Sequence, residues 1–195
     1  MSTVTNVSAG KPAIGGAISC APVGTTLPTS ASATLAEAFA NLGYISEDGL
    51  TNENSPEKTI IKAWGGDNVL VSQTDRPDKF KFKLIEALNL NVLKTVYGGA
   101  NVTGALTTGI TVNVTTEEVE PKAYVIDTIL RDGALKRICI HNGVLTELSE
   151  ITYKDDEVLG YEITISALPD SNGSTHKEYI IRAASGSSGA SGTST

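Results

Sequence analysis

Lys79-Phe80-Lys81-Phe82-Lys83-Leu84 is the stretch on which the fold turns. Apolar and charged side chains alternate strictly, the period-two pattern of a strand with one face buried and the other in water. Phe80, Phe82 and Leu84 share the inner face. The three lysines share the outer one, where charge also protects an edge strand from aggregating. Directly after it the period changes. Ile85, Leu88, Val92 and Val96 are spaced as one stripe of a helix over residues 85–97, and Gly98-Gly99 supplies the stop.

Downstream the chain reads as β throughout. Residues 110–116 alternate, and residues 123–130 form a strongly apolar strand. Residues 135–140 and 144–153 form a hairpin turning at Asn142-Gly143, a good short-turn signal. Residues 158–168 and 176–182 are the last strands, separated by the turn Asp170-Ser171-Asn172-Gly173. Upstream, residues 13–21 are a Gly-interrupted apolar strand and residues 22–34 a Pro/Ser/Thr loop. Leu35, Ala38, Phe39 and Leu42 are spaced for a short helix over 35–42, with Thr34 as N-cap. Residues 43–78 are an irregular excursion with short strands at 59–64 and 68–74. An excursion of this length is usually functional or ordered by a partner. Residues 1–12 read as an extended arm and residues 183–195 as a flexible Gly/Ser/Thr tail. The expected fold is mainly β, an antiparallel barrel or sandwich over residues 13–182 with one flanking helix.

Composition agrees. The chain has 195 residues with 40% hydrophobic but only 5% aromatic side chains, and Thr (23) and Ser (17) are abundant. Thr-rich, aromatic-poor chains suit half-buried pleated surfaces. No apolar run approaches the about 18 residues of a membrane-spanning helix, and the N-terminus lacks a signal-peptide pattern. A net charge of −7 argues against gripping nucleic acid through its phosphates, since that affinity comes from Lys and Arg.

Little in the sequence carries chemistry. Cys20 and Cys139 are far apart in the chain and are expected as buried, reduced thiols. His141 and His176 both sit beside turn sequences, and no nucleophile, phosphate-loop or metalloprotease motif occurs. Asp155-Asp156-Glu157, with Glu147, Glu150 and Glu162 nearby, reads as a solvated acidic rim. Residues 170–173 open like a calcium loop, but the closing Glu is absent. No catalytic residue, metal or cofactor is expected. Trp64, in Lys62-Ala63-Trp64-Gly65-Gly66-Asp67, reads either as core or as an interface anchor, the role in which aromatics dominate binding hot spots.

Residues 43–97 resemble the major tail (tail tube) proteins of long-tailed, non-contractile bacteriophages. The likeness is carried by Gly43-Tyr44-Ile45-Ser46-Glu47-Asp48-Gly49-Leu50-Thr51, Ser55-Pro56-Glu57 and Ile61-Lys62-Ala63-Trp64-Gly65-Gly66-Asp67. It continues through residues 80–87 and 92–98, with Asn6-Val7-Ser8-Ala9-Gly10-Lys11-Pro12, residues 153–156 and residues 169–173 also fitting. The resemblance implies a β-barrel or sandwich with a flanking helix, similar to type VI secretion tube proteins. It further implies hexameric rings that stack into a tube for DNA ejection, assembled in the host cytoplasm and carried in the virion tail. The partners implied are further copies of the chain, a tape measure protein, a tail terminator and a distal tail protein. Double-stranded DNA would be a transient passenger, and no membrane is involved.

In that family the N-terminal arm and a long loop or hairpin contact the next ring. Residues 1–12 and 44–78 are the matching positions, with Lys11, Pro12, Asp48, Leu50, Ser55, Pro56, Trp64 and Asp67 as stacking candidates. Two repeating head-to-tail interfaces close a ring and extend a filament. The acidic balance then suggests a lumen wall that repels DNA, with Glu147, Glu150 and Glu162 as lumen-facing candidates. The alternatives are a discrete ring-forming decoration, terminator or baseplate-associated protein, or a small-molecule-binding barrel. A tube protein polymerises, and these do not.

Overall fold

The alternation over residues 79–84 is realised as a strand whose Phe80, Phe82 and Leu84 are all buried. The computed structural model describes residues 2–13 and 15–182. Its strands begin with β1 (Lys11–Pro12), β2 (Ile18–Pro22), β3 (Ala40–Asn41), β4 (Ile45–Glu53), β5 (Glu57–Lys62), β6 (Asn68–Asp75) and β7 (Lys79–Leu84). Helix α1 (Leu90–Tyr97) follows, then β8 (Val102–Ala105), β9 (Gly109–Val112) and β10 (Lys122–Ile129). The last three are β11 (Leu135–Leu148), β12 (Tyr161–Ala167) and β13 (His176–Ile181). The tail expected over residues 183–195 lies outside the described residues.

The main sheet runs β3-β2-β10-β11-β12-β7-β4, with β1 added to β10 and β13 to β11, and every pairing is antiparallel. The fold is therefore mainly β with one α-helix among the described residues. No pairing joins β3 to β4 among them, so the sheet is open and the barrel alternative is not closed within one chain. The inner face packs Ile18, Tyr124, Ile126, Ile140, Phe80, Phe82, Ile163 and Ile165 into a single core with Val92 and Val96 of α1. Tyr97 at the end of α1 meets Tyr161 of β12 edge-on, with ring centroids 5.9 Å apart.

The Asn142-Gly143 turn is not there. β11 passes straight through it as one strand of 14 residues. Its first half pairs with β13 and its second half with β12, while β10 lies along the other side. Gly143 is needed for space: a Cβ there would stand 2.7 Å from Ile165 Cγ2 and 2.8 Å from Tyr124 Cδ2. A glycine at a close approach of two core side chains leaves the same mark in a sequence as a turn glycine.

The helix expected over 35–42 is also absent. One turn forms at Glu37–Ala38, and the chain then enters β3, pairing with Ser19 and Cys20. Eight residues with a weak stripe are marginal as a helix. Sheet pairing, the Leu42 N–H bond to Ile18 O (2.9 Å) and complete burial of Leu42 outweigh them. Helix α1 starts later than the expected residue 85. Asn89 caps it by accepting the Asn91 N–H at 2.9 Å, and Leu88 stays outside, exposed.

The second face of β2, β10 and β11 is buried too, beneath the loop over residues 23–36. Arg137 straps that loop down. Its Nε and Nη2 donate to Asp127 Oδ1 and Oδ2 (2.6 and 3.0 Å), and its Nη1 donates to the carbonyls of Ser30 (3.2 Å) and Ala33 (2.5 Å). Cys20 and Cys139 are buried free thiols, and burial pushes Cys139 up to about 11.

Candidate assembly interface

The excursion over residues 43–78 is not structureless. Residues 45–53 are β4, paired with β7 in the main sheet across a bulge between Ile45 and Leu50. Residues 57–75 form a separate two-stranded hairpin, β5–β6, which among the described residues pairs with no other strand and contributes nothing to the core. All of its strand residues are exposed.

The register Ile60↔Val71 and Ile61↔Leu70 puts one apolar pair on each face of this ribbon, since directly opposed residues share a face. Val69 adds to the Ile60 side by alternation. At the tip the Ala63 N–H bonds to Asp67 O (2.8 Å) and the Gly66 N–H to Ala63 O (3.0 Å). Gly65 and Gly66 both take positive φ, of 116° and 101°. That tight turn, open to glycine alone at little cost, leaves Trp64 fully exposed. An isolated two-stranded hairpin is marginal in water, and apolar surface of this kind marks a contact site.

A buried carboxylate fixes the hairpin's root. Asp78, 3% exposed, lies between β6 and β7. It accepts hydrogen bonds from Asn52 Nδ2 (2.8 Å) at the end of β4, from Thr175 Oγ1 (2.6 Å), and from His176 Nδ1 in β13. The ring of His176 also meets Phe80 edge-on at 5.2 Å. Burial acts to raise the Asp78 pKa, but the bonds from Thr175, Asn52 and His176 outweigh it and hold the carboxyl below its ordinary value. The hairpin's two legs are clamped as well, by Arg76 Nε donating to Asn54 Oδ1 at 2.6 Å.

The stacking candidates divide into three groups. Trp64 and Asp67 come together at the hairpin tip, while Ser55 and Pro56 lie at its root before β5, a strand's length away; all four are exposed. Asp48 is exposed at the β4 bulge, whereas Leu50 is half-buried against the core. Lys11 and Pro12 lie elsewhere, folded back along their own chain as β1 against Ile129 and Thr128 of β10. The arm is pinned further by the Arg131 N–H bond to Ser8 Oγ (2.6 Å).

Of the acidic candidates, Glu147 and Glu162 sit on the solvent face of β11, β12 and β7. There they stand among Lys79, Lys81 and Lys83, and Lys81 Nζ meets Glu162 Oε1 at 2.8 Å. Pairing with Lys81 and a hydrogen bond from Ser149 hold Glu162 below its ordinary pKa. Glu150 is exposed beyond the end of β11. Sequence reading overlooked the double-faced apolar pairs, which register alone reveals, and Asp78, whose partners lie far off in the chain.

Among the described residues no group of three metal-ligating side chains converges, and no helix is long and apolar enough to cross a membrane. A family model described as phage tail tube protein matches residues 5–190, nearly the whole chain. No curated protein matches.

Proposed function

The chain belongs to the phage tail tube proteins, structural components of the virion tail that assemble with themselves into a tube; from that membership we propose that its copies close into rings, six to a ring, which stack through the β5–β6 hairpin into the conduit for DNA ejection. The observation that carries this reading is the hairpin itself. It is a ribbon with apolar pairs on both faces and a bare tryptophan at its tip, and none of the described residues covers either face. In a self-assembling family the partner that covers it is another copy. The open edges at β3 and β4 offer backbone groups for pairing between neighbours within a ring, which removes exposed edges.

The solvent face of β11-β12-β7-β4 is the surface this reading gives to the lumen. Lys79, Lys81 and Lys83 are interspersed there with Glu53, Glu147 and Glu162, around Thr51 and Thr164. Such a wall is charge-balanced, so it presents DNA with no continuous cationic track to hold its phosphates. The tube ends would meet the tail terminator and the distal tail protein, and its bore would hold the tape measure protein before DNA passes. No catalytic step is part of this role.

Electron microscopy of the purified chain tests it. Hollow tubes with a regular axial repeat are expected, whereas discrete rings at every concentration would indicate a terminator or decoration protein instead.

A further inference from the structure

The hairpin leaves the main sheet at the Glu53/Lys79 end of the β4–β7 pair. At the opposite end of that pair, past Ile45 and Leu84, lies an open, mostly apolar groove of about 690 Å³ lined by Ile85, Ala87, Leu88, Val158 and Leu159. Glu86 and Asn89 stand beside them, Glu86 already accepting from the Tyr44 N–H and Asn89 Nδ2. Leu88 is 68% and Val158 61% exposed, so the groove presents hydrocarbon to water. Two and three residues before Val158 stand Asp156 and Asp155, both exposed and without an ion pair among the described residues. Glu157, by contrast, is already held by Lys83 (3.3 Å) and Lys154 (3.1 Å). The hairpin tip offers an aromatic side chain and a cation, with the exposed Asp67 on the other side of the turn. Trp64 is bare, and Lys62, two residues before it, is exposed and makes no ion pair among the described residues.

The tip does not occupy the groove of its own chain in this fold, since Trp64 is fully exposed. The hairpin's root and the groove adjoin opposite ends of β7, a six-residue strand spanning roughly 20 Å. A hairpin rooted at one end and a groove at the other make a heterologous contact. Such a contact repeats along an axis instead of closing on itself, as tube growth requires.

We propose that Trp64 of one copy seats in the groove between residues 85–89 and 158–159 of a copy in the next ring, with Lys62 facing Asp155 and Asp156. The assignment rests on the stacking role proposed above and specifies its receptor. An indole is large enough to make such a contact decisive, since a Trp buries about 150–250 Å².

Trp64 is the only tryptophan, so its fluorescence reports the contact directly. Emission is expected to shift to the blue as wild-type tubes assemble. Leu88→Asp should stay folded by circular dichroism, lose tubes and keep the emission of the free chain. Lys62→Glu should raise the critical concentration for assembly several-fold, and adding Asp155→Lys and Asp156→Lys should restore it. Wild-type tubes with unshifted emission, normal tubes from Leu88→Asp, or no rescue by the charge swap would each overturn the groove assignment while leaving stacking intact. Failure of the wild-type chain to form tubes would instead overturn the stacking role and this contact with it.

Discussion

Asp78 shows how one side chain can govern a distant surface. Its carboxylate gathers Asn52, Thr175 and His176 from β4, the approach to β13 and β13 itself, so the hairpin root cannot swing without breaking buried hydrogen bonds. Asp78→Ala leaves those donors without their acceptor, and a loss of about 1–3 kcal/mol is expected, measurable as a lower urea midpoint. A carboxyl whose folded pKa is depressed adds stability above its unfolded pKa and loses it as pH falls through the folded one. The wild-type chain should therefore lose stability progressively below the ordinary Asp value of 3.8, and Asp78→Asn should flatten that part of the pH profile. An unchanged profile in the variant would remove Asp78 from the root's support.

Gly143 is the matching case of a small residue required by its neighbours. Gly143→Val pushes methyl groups into Tyr124 and Ile165 and should cost about 1–3 kcal/mol through overpacking. Thermal unfolding would show it as a lower Tm with the β signal retained.

Among the elements, the β5–β6 hairpin and the main sheet have separate duties. β4 belongs to the sheet, pairing with β7 from Glu53 back to Ile45, so a deletion that reaches into it removes core structure. Replacing residues 57–75 with a short Gly/Ser linker spares β4 and every residue of the core cluster. That variant should keep its far-ultraviolet β signal and cooperative unfolding, yet form no tubes in the electron microscope. Tubes of normal length would show that stacking runs through another surface. β11 shows the opposite economy, since one long strand joins both halves of the sheet by exchanging β13 for β12 along the same side.

At the scale of the whole molecule, charge distribution matters more than net charge. The −7 of the chain is not concentrated on the proposed lumen face, where lysines and glutamates alternate. Tipping that balance should make the wall hold DNA. Tubes carrying Glu53→Lys and Glu147→Lys should retain duplex DNA in co-sedimentation at low salt and release it as salt rises, the mark of phosphate contacts. Wild-type tubes should let it pass. Equal retention by both would mean that this face lies away from the lumen.

Much of this was legible in the sequence because it is written in local periodicity. The alternation of residues 79–84 shows its buried face in the order of its side chains. The apolar run that became β10 reads as a strand covered on both faces, and the strands over residues 161–167 and 176–181 are set off by the turn between them. The tip turn is written in Gly65 and Gly66, both at positive φ, whereas the exposure of Trp64, which the sequence leaves open between core and interface anchor, follows only from the fold. The family likeness lies in the order of such segments along the chain. Where the sequence misled, a residue type had two physical uses. Asn142-Gly143 has the composition of a turn, but Tyr124 and Ile165 need the missing side chain; residues 35–42 have a helical spacing, but the edge of β2 needed a partner. The hairpin's two apolar faces, the Asp78 root and the groove at the far pole follow from register and from contacts between residues distant in the chain. Local sequence determines which face of a segment avoids water. Only the tertiary structure decides which segments share one surface, because that depends on pairing energies summed over the whole sheet.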